Sequence, residues 1–90
     1  MTTFNDIRFQ EELAEINPIT RLSYMLADDI AERIYSVMKV KGISKKQLAE
    51  LTHKQPSEVT KWLAGGHNFM CKTIAIISQA LGEDIIQIAK

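Results

Sequence analysis

Residues 43–65, ISKKQLAELTHKQPSEVTKWLAG, set two short amphipathic segments either side of four polar residues, THKQ. Apolar side chains recur at helical spacing on both sides of that join, so each segment reads as a short helix. Isolated helices of that length are marginal in water. They persist by burying their apolar faces against each other and against further helices. The stretch therefore commits the chain to a helical bundle built around a tight helix–turn–helix unit. Leu48, Ala49 and Leu51 supply the inner side of the first segment, and Val59, Trp62 and Leu63 that of the second.

Local signals fix the ends. The SKKQ run starting at Ser44 is a capping box: the Ser44 hydroxyl accepts from the Gln47 N–H, and the Gln47 side chain accepts from the Ser44 N–H. Pro56 suits a first helical turn, where its missing N–H is no loss, and Gly65 and Gly66 stop the helix. Upstream, a helix over 6–16 is expected, with Asn5 as its cap and Phe9, Leu13 and Ile16 on one face. Asn17 and Pro18 break the chain after it. A long helix over 19–40 carries the stripe Ile19, Leu22, Leu26, Ile30, Ile34, Val37 and Met38, and Gly42 ends it. Its length implies that it bends or that its first half packs on a partner. Another helix over 71–81 carries Ile74, Ile77, Ala80 and Leu81. In the tail EDIIQIAK, acids suited to a helix N-terminus compete with isoleucines suited to a strand, and helix is the expectation. The fold expected is all-α with five helices: an acidic N-terminal helical extension over 1–29 and a helix-turn-helix domain over 30–90.

The formal net charge of zero hides an asymmetry. Residues 1–32 hold seven acids and two bases, and residues 33–90 hold nine bases and four acids. Such a split suggests a basic working end with an acidic appendage. No apolar run reaches the roughly 18–20 residues needed to cross a bilayer, so no membrane role is expected. The start MTTFNDIRFQEE has neither the basic head nor the apolar core of a secretory signal. The single cysteine, Cys71, cannot form an internal disulfide, and a cytoplasmic location is expected. No Ser/His/Asp or paired-carboxylate arrangement stands out, so no enzyme is expected. His67 and Cys71 stand four residues apart and His53 elsewhere, short of the four spaced ligands zinc takes. No metal or cofactor is expected.

On the second helix of the unit, Val59, Trp62 and Leu63 cluster on one side. Ser57, Lys61 and Ala64 fall almost opposite, with Glu58 and Thr60 flanking. A short polar face with one lysine and nothing bulky can lie in the DNA major groove and reach base edges.

Residues 34–81 resemble the Cro/phage-repressor type of helix-turn-helix family, also called XRE-like. Ser44 matches the family's cap and Leu48–Ala49 the pair that follows it. Val59, Trp62, Gly65 and Asn68 match at fifteen, eighteen, twenty-one and twenty-four positions beyond the cap. Thr73–Ile74 and Ala80–Leu81–Gly82 match the downstream pattern. Departures are His53 for the usual turn Gly, Thr52 and Lys54 for flanking aliphatics, and Pro56 where a base-reading Gln often stands. The resemblance implies a lambda-repressor-like bundle that binds double-stranded DNA as a homodimer and represses transcription. It implies that Lys61 contacts guanine O6/N7 or a phosphate and that Ser57 contacts a base edge or phosphate. Gln55, Glu58 and Thr60 stand beside them, and Lys45 matches a phosphate-contact position. Gly66, His67 and Asn68 lie where the family's backbone approaches phosphate. Many small members are antitoxins, and the HigA type is similar in size, which implies a toxin partner for the acidic residues 1–32. The alternative is a protein-interaction module that uses residues 1–32 and binds little specific DNA.

Overall fold

A computed structural model describes residues 17–89. It contains α1 (Pro18–Lys41), α2 (Lys45–Thr52), α3 (Pro56–Leu63) and α4 (Cys71–Leu81), with no strand among the described residues. The protein is all-α over this range. Four helices are described rather than five, and the helix expected over 6–16 lies outside the described residues. No helix among the described residues is long and apolar enough to cross a membrane.

Helix α1 runs uninterrupted for 24 residues and passes through position 29, where the extension was expected to end. The Asn17 side chain caps it by accepting from the Thr20 N–H at 3.3 Å, and Pro18 opens its first turn. Gly42, at φ 69°, closes it, and the N–H groups of Gly42 and Ile43 bond the carbonyls of Lys39 and Met38. The two halves of α1 differ. Ala27, Ala31, Ile34, Val37 and Met38 are buried, whereas Ile19, Leu22 and Leu26 of the same expected stripe are exposed.

The core sits where α1 and α2 each pack against both α3 and α4. Ile34, Leu48, Val59 and Ile77 are fully buried there, and Trp62 nearly so. Leu51 was expected to join Leu48 and Ala49 inside, yet it is half exposed. Thr52 takes that place. Its buried hydroxyl donates to the carbonyls of Leu48 and Ala49 at 2.8 and 3.2 Å, so a polar side chain fills an apolar site at no hydrogen-bonding cost.

The tail corrects the expectation of a helix over 83–90: residues 83–89 are neither helix nor strand. Gly82, at φ 71°, ends α4, and tertiary partners take the backbone groups a further helix would need. The Arg33 guanidinium donates twice to the Asp84 carbonyl, at 3.0 and 3.2 Å. The Ile85 N–H donates to the Ser78 hydroxyl while the Ile85 side chain enters the core. Lys41 donates to the Leu81 carbonyl at 2.7 Å, an orphan group at the negative end of α4.

These burial differences predict a contrast in stability. Trp62→Ala should cost about 3–5 kcal/mol and Leu51→Ala about 1 kcal/mol or less. Urea unfolding midpoints at unchanged slope measure both.

Candidate nucleic-acid interface

The turn between α2 and α3 aims the rest of the site. The capping box at the start of α2 is formed, with Ser44 Oγ accepting from the Gln47 N–H at 3.1 Å and Gln47 Oε1 from the Ser44 N–H at 2.8 Å. At its end His53 takes the left-handed conformation, φ 58° and ψ 37°, as the only non-glycine with positive φ among the described residues. The His53 and Lys54 N–H groups bond the carbonyls of Glu50 and Ala49 at 3.2 and 2.9 Å. The backbone thus does what a turn glycine does, with a side chain that costs roughly 1–2 kcal/mol there.

From that turn the chain enters α3 at Pro56, in its first turn, with Gln55 as the cap residue. Val59 and Trp62 hold the helix down, and Leu63 is half-buried. Gln55, Ser57, Thr60 and Lys61 are exposed, and Glu58 is half-buried. The Thr60 hydroxyl is turned onto its own helix, donating to the Pro56 carbonyl at 3.1 Å. Its oxygen can still accept from a ligand. Lys45 is exposed in the first turn of α2. The lysines at 45, 46, 54, 61 and 72 are all exposed, and none forms an ion pair among the described residues. Lys41 is different: it is held at the end of α4 with Glu83 at 3.7 Å.

The loop after α3 is tied to α1. Asp28 Oδ1 accepts from the Gly66 N–H at 3.0 Å. Gly65 sits at φ 92°, and a Cβ there would lie 2.8 Å from the same oxygen. Both its conformation and its space therefore require glycine. The Gly66 N–H, expected to face phosphate, is occupied by the Asp28 carboxylate. His67 is half-buried and stands edge-on to Phe69, ring centroids 4.7 Å apart. Asn68 is exposed, and Met70 caps α4 without a side-chain hydrogen bond.

The sequence-expected residues thus fall on one succession of elements: the start of α2, the exposed side of α3, and the loop that follows. Sequence reasoning missed Asp28, which lies 38 positions from its partner and carries no local signal. Among the described residues no group of three or more His, Cys, Asp or Glu is placed to hold a metal ion. No family model matches the chain, and no curated protein or solved structure matches it either.

Two expected outcomes test this geometry. His53→Gly should raise stability by up to about 1 kcal/mol, as relief of strain exceeds the added chain entropy. Gly65→Ala should cost about 1–3 kcal/mol, and combining it with Asp28→Ala should restore part of that loss. A double-mutant cycle read by urea unfolding measures the coupling.

Proposed function

We propose that the protein is a sequence-specific DNA-binding regulator of the XRE-like helix-turn-helix type. It acts as a homodimer and represses transcription by occupying its operator. One observation carries this reading: α3 buries Val59 and Trp62 and presents Gln55, Ser57, Thr60 and Lys61 outward, beyond a tightly capped turn. Unobstructed polar side chains on an anchored helix and at its cap suit entry into the major groove.

In this reading the residues divide their work. Lys61 is long enough to reach a guanine edge, and Ser57 and Thr60 accept or donate at shorter range. Gln55 lies at the tip of α3, and Glu58 sits at its flank, where it disfavours a phosphate that comes too close. Lys45 meets the backbone from the start of α2. Asn68 and His67 meet it from the loop, and Gly66 shapes that loop while Asp28 holds its N–H. Lys46, Lys54 and Lys72 add attractive field without fixed contacts. A single domain of this size offers few base contacts, so a two-fold arrangement on half-sites about 34 Å apart supplies the specificity. The lambda-repressor-like assignment of the bundle belongs to the same proposal.

A second reading makes the chain the antitoxin of a toxin–antitoxin pair, with a basic toxin bound at the acidic residues 1–32. The exposed apolar side chains in the first half of α1 favour it over a stand-alone repressor. Co-expression with the neighbouring gene separates the two, since a stand-alone repressor co-purifies with no neighbour-encoded protein.

Selection from a randomised duplex library should enrich a palindrome, and log affinity should fall linearly with log salt. Lys61→Ala should weaken binding to the selected site by about 1–3 kcal/mol and binding to random duplex by much less. Equal losses on both would make Lys61 a phosphate clamp. Failure to enrich any site would refute sequence-specific regulation.

A further inference from the structure

A groove of about 650 Å³ lies between the first half of α1 and the loop after α3. Ile19, Leu22, Leu26 and Ile30 line one side, and His67 and Phe69 the other. Ile19, Leu22 and Leu26 are 77, 56 and 62% exposed, and Ile30 is half-buried. At about 100° per residue these four fall within an arc of about 80° on α1, so they form one continuous apolar row. No Asp, Glu, Lys or Arg lines the groove. Such a row on a small domain marks a surface for an apolar partner rather than for a charged one.

We propose that the partner is a second copy of this chain, whose α1 lies antiparallel along the same row. The spacing of the row selects this occupant. A two-fold axis at the level of Tyr24 sets Leu22 against Leu26 of the second copy and Ile19 against Ile30 of the second copy, and each pairing recurs in reverse. All four aliphatic side chains then meet aliphatic ones. The row is complementary to itself when read backwards, as a contact between identical surfaces requires.

The area agrees. Ile19, Leu22 and Leu26 each leave on the order of 100 Å² open. Met25, 54% exposed, adds a similar area at the edge of the row. With Ile30 and Phe69 across the groove, each copy approaches the roughly 600 Å² per partner at which stable interfaces begin. The symmetry agrees as well. The loop that carries Gly66, His67 and Asn68 stands along one flank of the row. In an antiparallel two-fold pair the same flank of each helix faces the same way, so both loops come to one side of the dimer. A two-fold DNA site needs both copies of α3 presented in that manner. The inference deepens the homodimer of the proposed function, and it rests on that reading only for the placement of α3.

The test follows the mass of the full chain without DNA, by sedimentation equilibrium at low micromolar concentration. The natural chain should show twice its own mass of 10.2 kDa. Leu22→Glu and Leu26→Lys should each raise the dimer Kd at least about tenfold, because each sets two unpaired charges against aliphatic side chains. Ile88→Glu, at a 75% exposed aliphatic position outside the row, should leave the Kd unchanged. An equimolar mixture of the Leu22→Glu and Leu26→Lys chains should associate at least about tenfold more tightly than either alone, since the antiparallel register sets the new carboxylate against the new ammonium. A variant that had failed to fold could not give that rescue. A monomeric natural chain, an unchanged dimer in either row variant, an equal loss with Ile88→Glu, or a mixture that stays apart would each overturn the proposal. A monomer that binds a neighbour-encoded protein through the row would assign it to that partner and overturn the proposal too. Should the row hold the dimer while no operator is selected, this surface stands and the DNA reading alone falls.

Discussion

Helices α2 and α3 have eight residues each, too few to stand alone, so their existence depends on what Leu48, Val59 and Trp62 are buried against. That burial is a three-way contact with α1 on one side and α4 on the other. Trp62 contributes most because it is the largest side chain in the core. Once it is seated, the rotation of α3 is settled, and so is the outward direction of Ser57 and Lys61. The polar face of α3 is therefore a consequence of the core.

A second layer of polar ties secures what burial leaves loose. Asp28 holds the loop after α3 through the Gly66 N–H, and Arg33 and Lys41 hold the end of α4 and the tail through backbone carbonyls and Glu83. All three residues stand on α1, which makes that helix the spine from which both ends of the bundle are positioned. These ties also redistribute the charge. Lys41 belongs to the basic excess of the second half of the chain, but it neutralises a helix end. Lys45, Lys46, Lys54, Lys61 and Lys72 remain exposed.

A groove beside the first half of α1 and the proposed DNA-facing loop share Gly66, His67 and Asn68, so the two surfaces adjoin. Asp28 of α1 already holds the backbone of that loop through the Gly66 N–H. The groove and the loop are thus built on the same residues.

The sequence by itself determined the features that depend on neighbours within a turn or two. The capping box at Ser44 and Gln47, the start of α3 at Pro56, the stops at Gly42 and Gly82 and the apolar face of Val59 and Trp62 all rest on such local chemistry. The all-α class follows from the same periodicity. Tertiary structure decided what depends on partners distant in the chain. Leu51 and Thr52 exchange burial because the helix packs at an angle that periodicity does not encode, and Thr52 meets its polar needs within its own helix. The tail abandons the helix its acids suggest, and Arg33, 51 positions away, takes the Asp84 carbonyl. Asp28 reaches Gly66 across 38 positions, and no local rule anticipates that pairing. Local hydrogen bonds and side-chain spacing are written in the order of residues, whereas the competition for each backbone group is settled only when distant elements meet.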